Sequence, residues 1–147
     1  MIRYSLADIK DVGEQIAAIL KPGDAIALSG ELGAGKTSLA RAILSALGYK
    51  GEAPSPTFAI VQPYEPPEVR FPVLHCDLYR LEDPSEVLEL GLDDARYDGV
   101  LLIEWAERMG PYAWPDMLRI NIEFAGEGAR RLTATLPAAW ESRWPFP

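Results

Sequence analysis

Eight consecutive residues carry the densest chemistry in this chain: Gly30-Glu31-Leu32-Gly33-Ala34-Gly35-Lys36-Thr37. A glycine, four residues and then Gly-Lys-Thr is the pattern of a phosphate-binding P-loop. Gly30, Gly33 and Gly35 allow the backbone to turn successive N–H groups inward towards phosphate oxygens. Lys36 offers a mobile ammonium to the β- and γ-phosphates, and the Thr37 hydroxyl is a ligand for Mg²⁺. Ser38 carries the loop into the next element, so the candidate nucleotide-binding set runs from Gly30 to Ser38.

Two acids have the right character to complete such a site. Glu104 follows Val100-Leu101-Leu102-Ile103, four apolar residues without alternation, which reads as a strand buried on both faces. In open α/β sheets ligands bind beyond the carboxyl ends of the strands, and a metal-holding carboxylate belongs there. The usual residue is Asp; Glu adds one methylene and reaches either the metal or the attacking water. Asp77 ends a second strand, Arg70 to Cys76, and is the other candidate catalytic acid. The residues leave open which of the two is the base. His75 and Cys76 point to opposite faces of that strand and cannot share a tetrahedral zinc site. His75 shares a face with Asp77 and reads as structural or orienting. Ser55 or Thr57, in the loop Ala53-Pro54-Ser55-Pro56-Thr57, stands where nucleotide switches sense the γ-phosphate.

The elements needed to position these groups are legible. Ala25-Ile26-Ala27-Leu28 is a short apolar strand before the loop, and Ser38 to Leu47 is a helix after it. The partial positive charge of that helix N-terminus would lie under the phosphates. Leu39, Ile43, Leu44 and Leu47 form its inward face, with Gly48 beyond its end. Upstream, Ile2-Arg3-Tyr4 reads as an edge strand and Ser5-Leu6-Ala7-Asp8 as a capping box with Ser5 as N-cap. Ile9, Val12, Ile16 and Ile19 follow as one helical face. Downstream come a strand from Phe58 to Tyr64, a turn from Glu65 to Val69, and a short helix opened by Asp83-Pro84-Ser85-Glu86 and closed by Gly91. Tyr79 and Arg80 read as core and surface, or as facing the nucleotide. Met117 to Phe124 and Arg130 to Leu136 pair antiparallel around Gly126-Glu127-Gly128. The fold expected is α/β and P-loop NTPase-like: a mostly parallel central sheet flanked by helices, with an antiparallel extension. Residues 1–147 read as one domain, with 137–147 as a flexible tail rich in aromatics and proline.

Composition narrows the function classes. The net charge of −8, from 22 acids against 14 bases, repels a phosphate backbone, so nucleic acid would reach this chain only through a partner. Cys76 is the single cysteine, which excludes an internal disulfide and fits a reducing cytosol. No run is apolar enough to span a bilayer and no signal-peptide pattern opens the chain, so the expected location is cytoplasmic. Guanine readers carry Asn-Lys-x-Asp, but the one asparagine is Asn121, followed by Ile122. Asp-x-x-Gly is also missing, so ATP is expected rather than GTP. A small-molecule kinase is the alternative; it needs a lid of clustered arginines, and the only adjacent pair is Arg130-Arg131, in the late hairpin where a structural role is expected.

Four motifs in order resemble the TsaE (YjeE) family, small bacterial P-loop ATPases needed to make threonylcarbamoyl-adenosine in tRNA. They are Gly-Glu-Leu-Gly-Ala-Gly-Lys-Thr, Ser55-Pro56-Thr57-Phe58, His75-Cys76-Asp77-Leu78-Tyr79-Arg80-Leu81 and Ile103-Glu104-Trp105. The resemblance spans roughly residues 5 to 124 and departs at Ser38, where the family often has Thr. It implies an ATP- and Mg²⁺-dependent ATPase that works with the TsaD and TsaB proteins in threonylcarbamoyl transfer; with no obvious arginine finger or substrate lid in the sequence, low turnover is expected of the chain alone. By motif, Lys36 and Thr37 bind phosphates and Mg²⁺, Glu104 is a second Mg²⁺ ligand, and Asp77 is the base or water-orienting acid. Trp105, Thr57 and Tyr79 serve the nucleotide or the partner, and Ser5 to Ile9 help hold adenine.

Overall fold

The computed structural model describes residues 2–31, 33–51 and 61–146, with Leu6 as backbone only. Seven strands form one mixed sheet in the order β1-β7-β6-β2-β5-β4-β3. They are β1 (Ile2–Ser5), β2 (Ala25–Gly30), β3 (Val61–Tyr64), β4 (Val73–Asp77), β5 (Val100–Glu104), β6 (Leu118–Phe124) and β7 (Ala129–Thr135). The four central strands β6, β2, β5 and β4 run parallel. Antiparallel β3 closes one edge, and β7 then β1 close the other. This is the expected P-loop NTPase-like α/β architecture with its antiparallel extension.

Alternation along the central strands makes two apolar layers, because successive side chains leave opposite faces of a sheet. Ile26, Leu28, Val100 and Leu102 face one way, onto helices α1 (Ile9–Ile19) and α2 (Lys36–Ala46). Ala25, Ala27, Leu101, Ile103 and Cys76 face the other, beneath residues 84–98 and 106–112. That second layer holds helix α3 (Leu92–Asp98) between two 3₁₀ segments, Pro84–Leu90 and Ala106–Tyr112. The two long helices cross closely at Gly13, where a Cβ would lie 2.6 Å from that of Ala42.

Several boundaries differ from expectation. Ser5 is not the N-cap of α1: its hydroxyl donates to Asp8 Oδ2 at 2.8 Å, and a 3₁₀ turn, Leu6–Asp8, comes before the α-helix. Strand β4 starts at Val73 rather than Arg70. The segment after Asp83 is 3₁₀, although Asp83 caps it as expected by accepting from the Ser85 N–H at 2.9 Å. That backbone bond, with the Ser85 hydroxyl, holds the Asp83 carboxyl below the ordinary range. Gly91 ends it at φ 67°. Helix α3 and the 3₁₀ turns of 106–112 are too short to show a periodic signal.

The C-terminal residues are docked, not loose. Trp140 is buried and its indole N–H donates to Asp116 O at 3.1 Å. Arg143 donates to both Asp24 carboxylate oxygens and to Ile19 O, with its guanidinium 4.2 Å over the Trp140 ring. Trp144 and Phe146 then pack on the first apolar layer.

Candidate nucleotide-binding site

The site forms where β2 gives way to α2. Gly30 pairs with Ile122 of β6, and a Cβ there would sit 2.3 Å from Ile122 O, so only glycine fits this approach. The loop then turns on Gly35, in the left-handed region at φ 114°, directly into α2. No side chain caps that helix start, which leaves its N–H groups for a bound anion. The Ala34 N–H donates to Glu31 O at 3.0 Å, closing the turn. Arg130 of β7 holds the loop from outside: its Nε donates to Ala34 O at 2.8 Å while its guanidinium lies 4.5 Å over the Phe124 ring.

Lys36 is buried and reaches back across the loop, donating to Gly30 O at 2.7 Å with Nζ 4.3 Å from the Trp105 ring centroid. Trp105 follows β5 in a left-handed conformation, φ 60° and ψ 41°. It is the single non-glycine residue among those described with positive φ. This conformation costs of order 1 kcal/mol or more in a bulky residue and aims the indole back at the lysine. Tyr79 lies 5.0 Å from the indole, and Arg108 lies 5.6 Å over Tyr79. Tyr79 is therefore not a core residue: over half its surface is exposed.

The acids fall beside the loop. The Thr37 hydroxyl lies 2.8 and 3.0 Å from the two carboxylate oxygens of Glu104. His75 Nε2 meets Glu104 Oε2 at 2.7 Å, both side chains buried. A carboxylate only accepts, so Nε2 carries the shared proton, and among the described residues the buried Nδ1 has no partner. Asp77 pairs in register with Glu104 across β4 and β5, which puts the two acids side by side at the strand ends. Asp77 Oδ1 accepts from the Tyr79 N–H at 3.0 Å.

Sequence reasoning thus brings Lys36, Thr37, His75, Asp77, Glu104 and Trp105 to one place. Ser38 sits further along α2, exposed, in a groove of about 330 Å³ shared with Ile9 and Lys10. Leu32, Ser55 and Thr57 lie outside the described residues. The grip of Arg130 on the loop was missed, because its partner is 96 residues away; its assignment to structure rather than to a lid agrees with that contact. Among the described residues no cluster of three or more His, Cys, Asp and Glu exists that could hold a metal alone. The hydroxyl–carboxylate pair of Thr37 and Glu104 is instead the small oxygen set that suits Mg²⁺, which takes its other ligands from phosphate and water. No helix of the described residues is long and apolar enough to cross a membrane.

Comparison with known proteins bears on the family and the fold. The family model described as threonylcarbamoyl adenosine biosynthesis protein TsaE matches residues 4–132. Proteins named tRNA threonylcarbamoyladenosine biosynthesis protein TsaE are similar in several bacteria. That of Rickettsia bellii is 36% identical over 135 residues, 91% of this chain and 92% of the relative. That of Bacillus subtilis is 39% identical over 129 residues, 87% and 79% of the two chains. That of Streptomyces coelicolor is 36% identical over 138 residues, 92% and 93%. The crystal structure of Bacillus subtilis YdiB superposes with a TM-score of 0.76 at 29% identity, covering 96% of this chain and 89% of that one.

Proposed function

This chain belongs to the TsaE family, and from that premise we propose that it is the Mg²⁺-dependent ATP-binding and ATP-hydrolysing subunit of the tRNA threonylcarbamoyladenosine system. In this reading it works in the cytoplasm with TsaD and TsaB, which transfer threonylcarbamoyl to the adenosine beside the anticodon. The tRNA is met only through those partners. The observation that carries the reading is the Thr37–Glu104 contact, which joins the phosphate loop to the acid at the end of the buried strand.

Each residue then has a task. The loop N–H groups from Gly30 to Ser38 cradle the phosphates, and Lys36 leaves Gly30 O to meet the β- and γ-phosphates. Thr37 and Glu104 are the residues that would hold Mg²⁺, and the ion would supply neutralising charge to the phosphate oxygens. His75 fixes the orientation of the Glu104 carboxylate. Asp77, beside it, orients the attacking water or takes its proton. Trp105 walls the lysine from solvent. Hydrolysis drives a change of affinity for the partners, and the isolated chain turns over slowly: the arginine that meets the loop among the described residues, Arg130, is engaged on Ala34 O, which leaves it no role as an arginine finger.

The test is phosphate release from Mg-ATP by the chain alone and with TsaB and TsaD added. Stimulation by the partners is the expected result, lost in Lys36→Ala and in Glu104→Ala. Equal rates with and without partners, or a Glu104→Ala variant as fast as the parent, would overturn the reading.

A further inference from the structure

The second apolar layer opens at the surface into a groove of about 270 Å³. Met109 and Leu92 form its floor, Leu88 and Tyr112 stand on its rim, and Trp114 makes one wall. That wall is fixed: the Trp114 indole N–H donates to Asp93 Oδ1 at 2.8 Å, and Arg96 lies 5.0 Å over the ring. On the rim Leu88 is 60% exposed and Tyr112 39% exposed. Large apolar side chains left in water around a formed groove mark an interaction surface.

Charge selects the partner. Residues 82–98 hold seven acids, Glu82, Asp83, Glu86, Glu89, Asp93, Asp94 and Asp98, against the single base Arg96. They account for −6 of the chain's −8. Arg96 is itself neutralised by Asp116 at 2.6 Å, an ion pair that holds the Asp116 carboxyl below its ordinary range. A field of this sign repels nucleic acid and a second copy of the chain, and attracts a basic surface. We infer that this groove is the docking site for a protein partner that sets Lys and Arg side chains around an apolar anchor. The inference rests on the reading of the chain as a subunit of a TsaD–TsaB assembly and names the face that assembly meets.

Immobilised TsaD–TsaB complex is the probe, with the full chain binding in the presence of Mg-ATP at low and high salt. Leu88→Ala with Tyr112→Ala is expected to weaken binding about tenfold or more. Glu89→Lys with Asp94→Lys is expected to slow association and flatten its salt dependence. None of these four side chains belongs to the phosphate site, so Mg-ATP affinity stays at the parent value and reports that each variant is folded. Parent-like binding by both double variants would overturn the groove while leaving the partnership intact. A parent chain that does not bind the complex at all would overturn the partnership, and the docking site with it.

Discussion

At the scale of single residues, His75 tests how the site is oriented. Its Nε2 shares a proton with a buried carboxylate at 2.7 Å, so it sets where the Glu104 oxygens point without touching a nucleotide. If Glu104 holds Mg²⁺ as proposed, His75 is a group that orients a metal ligand, and such groups typically contribute 10- to 100-fold to affinity or activity. His75→Ala is therefore expected to lower partner-stimulated phosphate release by about tenfold and to raise the Mg²⁺ concentration for half-maximal rate. A parent-like Mg²⁺ dependence would show that the histidine only fills space. Cys76, next in sequence, points into the opposite layer and is fully buried. Burial pushes its thiol up to about 12, with Asp77 adding to the shift. Folded Cys76 should thus react with a disulfide reagent at pH 8 only as fast as the protein opens, and at once in denaturant; prompt labelling of the native chain would contradict the burial. The sign for stability follows. A thiol kept neutral in the fold costs nothing below its unfolded pKa, near 9. Above that the unfolded chain ionises and the folded chain does not, so stability is lost as pH rises towards 12. Burial raises Tyr4 and Tyr64 as well, in the same alkaline direction.

At the scale of elements, the loop and the end of β5 are coupled through an aromatic contact. Lys36 rests on Trp105, Trp105 on Tyr79, and Tyr79 on Arg108. In the proposed nucleotide complex, phosphates that draw Lys36 away from Gly30 O would also take it off the indole. Mg-ATP should therefore change tryptophan emission in the parent and leave it unchanged in Trp105→Phe, which keeps the other three tryptophans; an equal change in both would locate the response elsewhere. The elements that carry this coupling differ in how far the sequence announces them. The P-loop and its flanking strand and helix are written in consecutive residues, because cradling a phosphate is a local demand on backbone geometry. The unbroken apolar run of β5 is just as plain, since a strand buried on both faces leaves no room for alternation. The contact of Arg130 with Ala34 O is not local, and neither hairpin nor loop has a pattern that reveals it. The left-handed Trp105 is likewise hidden: nothing in Glu-Trp-Ala favours positive φ. The 3₁₀ segments escape because periodicity needs more than two turns to be visible.

At the scale of the whole molecule, the two ends of the parallel strands have separate duties. The carboxyl ends carry Thr37, Asp77 and Glu104. The amino ends are tied by the C-terminal residues: Trp140 bonds Asp116 O just before β6, and Arg143 clasps Asp24 just before β2. Asp24 is buried, so without the guanidinium a buried charge would lose its counter-ion and keep only the Lys21 N–H. Composition suggests a loose tail because proline and aromatics lack a helical or strand period; what fixes these residues is a set of long-range contacts, led by the Arg143–Asp24 ion pair and the Trp140 indole. A chain ending at Leu136 would lose the Arg143 clasp and the cover that Trp140, Trp144 and Phe146 give the first layer. Removal of a buried tryptophan alone costs roughly 3–5 kcal/mol, and at about 2–4 °C per kcal/mol for a chain of this size the melting temperature should fall by about 10 °C or more. Distant sites that share no partner contribute independently. Measured well below its own melting point, the truncated chain should bind Mg-ATP as the parent does. A matched loss of nucleotide affinity in the folded truncation would mean that the amino-end clasp is felt at the phosphate loop, and that the strands of the sheet transmit it.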